Sequence, residues 1–454
     1  MTETLSVEVH EMIQNIYLQL DAIEHKGPGI YRIEELCEGI EPLEWLQQQT
    51  GSSKFYWRDR GDEFEMASLG YVDRYSLPEG ADYEEMFSYL QNRLNPEYKN
   101  LRYYGGISFQ KSSGDDESWD GFDNCCFVLP EIEIFHGSDG SFLAYNLFWK
   151  EEQSFDEVKM ALKDKLKKLV WGEEPLKFHT YKCLSHTDLP SQGEWFSQVN
   201  YILKQIEKGD VNKVVLARRS SLECKEKIDT IDLMRQVKTS TEDCYHFCFM
   251  FEDGKSFLGA SPERLYERKG HYIRSEALAG TRPRGATEDE DQLLSIDLLS
   301  SKKDIQEHRF VVDQIYKDLE SLCQSLRVNR EVSLIKLERG QHLFSGVKGI
   351  LNDDVDDATL LNVLHPTPAI GGSPRDKALD IINKLEQFTR AWYSGPVGWI
   401  SYDSVEFAVA IRSALINSNT LHLFSGAGIV KGSSPEDEWN EIENKIANFK
   451  DLVK

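Results

Sequence analysis

Leu421-His-Leu-Phe-Ser-Gly-Ala-Gly-Ile-Val-Lys-Gly-Ser-Ser-Pro-Glu-Asp-Glu-Trp-Asn-Glu-Ile-Glu-Asn-Lys445 is the stretch around which the chain is organised. It reads as a short apolar strand, a glycine-bearing turn and the start of a helix. Ser434 is placed as an N-cap, Pro435 suits the first helical position, and Asp437, three residues on, completes a capping-box pattern. On that helix Glu438 and Glu441 are neighbours one turn apart, and Lys445 follows Glu441 at i+4. Two carboxylates beside a strand that offers backbone amides suit a hard divalent cation together with an anionic substrate. A capped, acidic, solvated surface helix is the plainer reading of the same residues, and only the rest of the chain decides between them.

Immediately upstream, Phe407-Ala-Val-Ala-Ile-Arg412 is a strand-like run ending in an arginine that could face inward. Leu364-His-Pro-Thr-Pro-Ala-Ile-Gly-Gly-Ser-Pro374 is too rich in proline and glycine to be anything but a shaped turn, and His365 sits in it. Ser300 to Cys323 predicts a long amphipathic helix, with Ile305, Val312, Ile315, Leu319 and Leu322 at three- and four-residue spacing and Glu307 and His308 in its first turns. In Ile273-Arg-Ser-Glu-Ala-Leu-Ala-Gly-Thr-Arg-Pro-Arg-Gly285, the expected turn Ala279-Gly280-Thr281 offers amides and a hydroxyl with Arg282 and Arg284 close by, a reasonable anion cradle. Cys244 to Leu265 reads as two strands turning at Glu252-Asp-Gly-Lys, with Glu263 just after the Ser261-Pro262 break. Trp195 to Lys208 predicts a helix closed by Gly209, followed by the β-branched run Val211-Asn-Lys-Val-Val-Leu-Ala-Arg-Arg219. Taken singly, Lys213, Glu263, Glu307 and Arg412 are each better read as solvated side chains at the ends of elements.

The first half is less distinctive. Residues 1–50 give helical periodicity broken at Gly27-Pro28-Gly29, with a second helix opening at Pro42. Strand patterns follow at Phe55–Arg60, Phe64–Tyr71, Arg102–Phe109, Phe127–Phe135 and Phe142–Phe148, with a polar loop from Lys111 to Ser118 and a helix from Asp156 to Val170. Thr187-Asp-Leu-Pro-Ser-Gln-Gly193 is the best candidate linker. The chain is long enough for one large α+β domain or for two.

A formal net charge of -25 argues against nucleic acid or an anionic membrane surface as a partner. It leaves room for an anionic small molecule in a locally basic pocket. The eight cysteines lack a paired-spacing framework, which points to a reducing cytoplasm. Cys244-Tyr-His246-Phe-Cys248 has metal-like spacing, but inside an aromatic strand run buried core thiols are the better reading. The N-terminus lacks the basic region of a targeting peptide, and no stretch approaches the ~18–20 apolar residues of a membrane span.

Seven of these segments, taken in order, resemble the chorismate-utilising enzyme family: Lys213-Val-Val-Leu-Ala-Arg, Ser261-Pro-Glu, Ala277-Leu-Ala-Gly-Thr-Arg-Pro-Arg-Gly, Asp304-Ile-Gln-Glu-His, Leu364-His-Pro-Thr-Pro-Ala, Val409-Ala-Ile-Arg and Ser425-Gly-Ala-Gly-Ile-Val with Glu438-Trp-Asn-Glu. Trp45-Leu, Phe55-Tyr-Trp-Arg-Asp-Arg, Tyr104-Gly-Gly and Trp392-Tyr-Ser-Gly-Pro-Val-Gly-Trp extend the resemblance to the isochorismate-forming members of the menaquinone-pathway type. The resemblance implies a single α+β unit of two antiparallel sheets packed face to face with helices outside. Residues 1–190 would form its N-terminal part and 191–454 the chorismate-binding catalytic region. It implies a cytoplasmic enzyme, monomeric or weakly dimeric, taking chorismate as its small-molecule partner.

The activity so implied is a Mg²⁺-dependent isomerisation, with water adding at ring C2 while the C4 hydroxyl leaves, for menaquinone or phylloquinone synthesis. Lys213 is then the base and Glu263 the acid. A free lysine near 10.4 and a free glutamic acid near 4.3 are each in the wrong protonation state at pH 7.4 by roughly 4 kcal/mol, and burial moves both in the needed direction. By resemblance Mg²⁺ falls to Glu307 and Glu441, with Glu438 beside them reaching it through water. Arg412 with a backbone amide near Gly426 would take the enolpyruvyl carboxylate, and Thr281, His365 and Lys445 complete the pocket. Lys213 stands where anthranilate synthases place glutamine, and Ala279 where aminodeoxychorismate synthases place a nucleophilic lysine. The alternatives are salicylate synthase, which adds pyruvate elimination, and a catalytically silent relative that binds chorismate. Glu276 departs from the more apolar residue of many relatives, and the resemblance gives it no role.

Overall fold

The computed structural model describes residues 2–24, 27–80, 82–110, 116–172, 177–329 and 331–454. The alternating apolar runs pair as expected, and among the described residues twenty strands join in continuous antiparallel ladders. They form two sheets that share one strand. The first runs, in spatial order, Gly29–Leu36, Gly140–Trp149, Cys125–Gly137, Glu65–Leu77, Lys54–Arg58, Tyr245–Met250, Lys255–Ser261, Ser413–Asn417, Thr420–Val430, Lys213–Cys224 and Cys183–Leu189. The second runs Tyr103–Ile107, Pro396–Ile400, Ser404–Val409, Arg264–Lys269, Tyr272–Pro283 and Gly340–Leu351, with Cys323–Val328 and Ser333–Lys336 on the last. Cys125–Val128 of the shared strand pair with Tyr104–Ile107, and this joins the two.

Between the sheets lies an aromatic core that includes Phe55, Trp57, Phe247, Phe249, Trp392 and Trp399. Gly106 permits this approach, since a Cβ there would stand 2.6 Å from the Trp392 ring. Helices cover the outside. Met12, Ile16 and Leu20 of Thr2–Ala22 pack with Trp45, Leu162 and Met234 against the first sheet, while Val311, Ile315 and Leu319 of Lys302–Glu320 pack against the second. Strands from residues 1–190 pair directly with strands from 191–454, as Phe55 does with Phe249 and Tyr104 with Trp399.

Three local expectations are corrected. Gly29–Leu36, inside a region with helical periodicity, is an edge strand: Ile30, Tyr31 and Ile33 favour an extended chain, and its cross-strand pairing with Gly140–Trp149 overrides the pattern. Thr187–Gly193 is no spacer, because Cys183–Leu189 is a full strand on Lys213–Cys224 and the helix Gln192–Lys208 begins three residues later. Ala279-Gly280-Thr281 is not a turn but a bulge within Tyr272–Pro283, where the register to Gly340–Leu351 shifts and Gly280 takes φ +74°. The predicted polar loop lies outside the described residues from Lys111 to Asp115. Cys244, His246 and Cys248 are buried, burial pushes Cys244 up to about 11, and His246 bonds Thr241 at 2.7 Å, as core groups do.

The final helix, Pro435–Lys450, starts as its sequence says. Ser434 Oγ accepts from Asp437 N at 3.1 Å, and the Asp437 carboxylate takes the serine hydroxyl at 2.8 Å. Trp439, Ile442, Ile446 and Phe449 are buried, and seating side chains of this size contributes about 1.5–3 kcal/mol each. That seating fixes the rotation of the helix, so Glu441 and Lys445, one turn apart, face the cavity described next.

Candidate active site

Lys213 opens a strand whose register against Thr420–Val430 is unbroken from Lys213↔Val430 to Glu223↔Thr420. Its side chain turns inward and donates to Glu307 Oε1 at 2.8 Å. Gly428 clears the room: a Cβ there would lie 2.7 Å from Lys213 Cε and 3.5 Å from Glu307 Oε1. The sequence thus needs glycine at 428 so that a lysine from one strand and a glutamate from a helix can meet over its neighbour.

Glu263 follows the Ser-Pro corner between two strands, and that corner is pinned. Glu263 N–H donates to Ser261 Oγ at 3.2 Å, the serine hydroxyl donates to Val409 O at 2.6 Å, and Val409 N–H donates to Glu263 O at 3.0 Å. Burial raises the Glu263 carboxyl to about 7, opposed by the charges of Lys213 and Lys445 and assisted by that of Glu276.

Arg412 lies between two strands with φ +50°, a backbone conformation held because Ala260 N–H donates to its carbonyl at 3.1 Å. Its guanidinium donates to His342 Nε2 at 2.9 Å, and His342 Nδ1 meets Thr281 Oγ1 at 2.9 Å. Burial pushes Arg412 below its usual value; burial, with the charges of Arg412 and Lys445, holds His342 neutral well below the usual histidine range. On the helical wall Lys445 bonds Glu441 at 2.7 Å and Gly426 O at 2.8 Å. Burial raises and Lys445 lowers Glu441, with a net fall, while burial and the charge of Glu441 lift Glu438 to about 7.

One cavity is lined by Lys213, Glu263, Thr281, Glu307, Arg412, Gly426, Glu441 and Lys445, so eight of the ten residues singled out in the sequence come together. Two do not line it. Glu438 is buried behind Glu441, and His365 stands at one remove, its Nε2 donating to Phe109 O at 3.0 Å and so tying the loop that carries Ala369 and Ile370 to the N-terminal half. The anion cradle is also altered, because Arg282 is paired with Asp297 at 2.6 Å and Asp304 at 2.9 Å, and Arg284 with Asp291 at 2.7 Å. The cations facing the cavity are instead Lys213, Arg412 and Lys445.

Sequence reasoning gave no role to two further lining residues, His342 and Tyr393. Tyr393 stacks on Phe424 with ring centroids 5.2 Å apart, and its hydroxyl would stand 3.1 Å from a Cβ at Gly426. Tyr393 lies in the quoted segment Trp392-Tyr-Ser-Gly and His342 in Gln341-His-Leu-Phe-Ser-Gly346, and only the tertiary fold reveals the pocket face of either.

The carboxylates suit a hard divalent cation in kind: oxygen donors, two on the cavity wall and a third, Glu438, lifted by burial and by the like charge of Glu441. As folded, Glu307 and Glu441 each hold a lysine, and among the described residues no three His, Cys, Asp or Glu side chains form a ready cage.

Comparison with known proteins adds an independent line. The profile of the chorismate binding enzymes matches residues 15–454. Isochorismate synthase MenF of Escherichia coli is 32% identical over 99% of both chains, and isochorismate synthase MenF of Bacillus subtilis is 31% identical over 90% of both. The solved structure of MenF, the menaquinone-specific isochorismate synthase from Escherichia coli, superposes with a TM-score of 0.87 at 31% identity, covering 98% of this chain and 99% of that one.

Proposed function

The chain belongs to the chorismate-binding enzyme family, and from that premise we infer that it is an isochorismate synthase, an isomerase that turns chorismate into isochorismate for menaquinone synthesis. Residues 191–454 carry chorismate binding and catalysis in this reading, with 1–190 as the supporting part of one fold in the cytoplasm. In the proposed reaction Lys213 takes a proton from the water that attacks ring C2, and Glu263 gives a proton to the C4 hydroxyl, which departs as water. The two ring double bonds shift between those carbons, so one water enters and one leaves.

What supports the assignment is that Lys213 and Glu263 border the same cavity, with Glu263 held up to about 7. At pH 7.4 an ordinary glutamic acid lacks its proton by about 4 kcal/mol; at about 7 the deficit is below ~1 kcal/mol, so the acid is available without a separate loading step. Lys213 must open its 2.8 Å contact with Glu307 before it can act as a base. Arg412, with a backbone amide near Gly426, holds the enolpyruvyl carboxylate in the bidentate manner of a guanidinium, and Thr281 and Lys445 border the ring. His365 supports the wall from behind.

Glu307 and Glu441, with Glu438 through water, would hold Mg²⁺, which when bound supplies positive charge against the ring carboxylate. Incubation of the protein with chorismate and Mg²⁺, with chromatographic identification of the product, tests the function. Isochorismate alone is expected; salicylate with pyruvate would overturn the simple isomerase, and no turnover would favour a silent chorismate binder.

A further inference from the structure

Glu276 is a buried acid without a part in the chemistry above, and its surroundings are unusual. Its Oε1 accepts from Arg60 at 2.7 Å and from Arg264, while its Oε2 is buried with no hydrogen-bond partner. Arg60 extends its other arm to Pro262 O at 2.6 Å. Arg264 also reaches Glu406 Oε1 at 3.3 and 3.4 Å, and the Tyr245 hydroxyl donates to the same oxygen at 3.0 Å. Pro262 and Arg264 are the residues on either side of Glu263. Both flanks of the proposed acid therefore hang, through two guanidiniums, on one carboxylate that comes from a different strand, Tyr272–Pro283.

We propose that Glu276 is the positioning residue of the general acid: it fixes the Pro262–Arg264 backbone through Arg60 and Arg264, and it cancels their charge so that two cations do not strip the proton from Glu263. The inference rests on the reading of Glu263 as the acid. A guanidinium near a carboxyl favours the ionised form, and an added carboxylate favours the protonated one. A clamp built of arginines alone would hold the backbone and ruin the acid; a clamp with Glu276 in its centre holds the backbone and spares it. Arg60 also makes residues 1–190 a direct contributor to the acid, although none of the proposed catalytic groups lies there.

The other charges facing Glu263 are Lys213 from the strand Lys213–Cys224 and Lys445 from the final helix, both favouring ionisation. Arg412, His342, Glu307, Glu441 and Tyr393 complete the titratable lining of the cavity. None of these is altered by the variants below, so the comparison isolates the clamp.

The test is the pH profile of isochorismate formation by the intact enzyme from pH 5 to 9. The acid works protonated, so the rate falls as pH rises through its value. Glu276→Gln removes the carboxylate that pairs with Arg60 and shares Arg264 with Glu406, and should move that falling limb to lower pH by on the order of one unit, a loss of about tenfold at pH 8 that narrows towards pH 5.5. Arg60→Met removes a cation and keeps Glu276, so its limb should stay in place or move to higher pH. Glu276→Asp keeps the charge and should restore the wild-type limb. A uniform loss at every pH in Glu276→Gln with the limb unmoved, or an acid shift in Arg60→Met, overturns the proposal. Should Glu276→Gln fail to fold, Arg60→Met and Glu276→Asp decide by the same criterion. If the wild-type protein makes no isochorismate, the parent reading fails instead, and the two failures are told apart.

Discussion

Glu263 and Glu438 are both buried carboxyls lifted to about 7, and they stand in two differently built parts of the molecule. Glu263 sits at a strand corner pinned by three hydrogen bonds, facing Lys213, and its rise comes from burial against the pull of that lysine. Glu438 sits in the first turn of a helix, and its rise comes from burial plus the like charge of Glu441. The same displacement thus has opposite meanings. The first carboxyl is an acid waiting to deliver a proton next to a cation that cannot quite claim it. The second belongs to a pair with more negative charge than it can hold, which a proton or a metal ion relieves. Strands set the reacting groups; helices carry groups that can exchange partners.

The largest effects should fall on the strand wall. Lys213→Ala should cost about 10³-fold or more in turnover, the upper range for removing a general base, and a loss of only a few-fold would break the assignment. Glu263→Gln should cost about 10²–10³-fold, and it also sharpens the comparison through stability. Because the folded value of Glu263 lies above its unfolded value, its contribution is fully present below about pH 4.5 and is lost as pH rises through about 7. The glutamine variant should therefore be more stable than wild type at pH 8, by roughly 3 kcal/mol before relaxation, and lose most of that advantage by pH 5. Thermal melts at the two pH values check it; equal melting differences at both would mean that Glu263 is not held protonated.

How much of this was legible in the chain depended on the range of the cause. Capping at Ser434, the αL glycine at 209 and the alternating strands are local, and the sequence carried them plainly. The proposed acid, base and metal carboxylates were legible only because seven short segments together match a family pattern; by local rules each was a solvated side chain. What escaped was long-range. Gly29–Leu36 is a strand because of a partner more than 100 residues away in sequence, which local periodicity cannot register. Arg282 and Arg284 looked free because Asp297, Asp304 and Asp291 come to them only through helix packing. Arg60 and Glu276 are 216 residues apart, and nothing near either one announces the clamp around Glu263.

On the helical wall the expected effects are smaller and concern binding. Glu441→Gln removes one carboxylate from the proposed metal site and should weaken Mg²⁺ binding by about 10–100-fold. A ligand that binds only the folded state raises its melting temperature, so Mg²⁺ should stabilise wild type measurably and the variant much less at the same concentration. If both shift equally, the helical acids are not the metal site, and the contrast between the two walls loses its second term.

The smallest effect tests how finely the strand wall is set. Arg412 can only donate, so His342 Nε2, 2.9 Å away, must accept, and the ring proton of this neutral histidine then resides on Nδ1. Nδ1–H in turn donates to Thr281 Oγ1 at 2.9 Å, which leaves the threonine's own proton to point elsewhere, and the cavity it lines is the open direction. Thr281 is thus a donor of fixed polarity, set by a chain of two bonds that begins at the arginine. Thr281→Val should lose one neutral hydrogen bond to the substrate, about 3–10-fold in kcat/KM, while Thr281→Ser should keep most of it. Equal losses in both variants would mean that the methyl group, and not the hydroxyl, is what the site uses there.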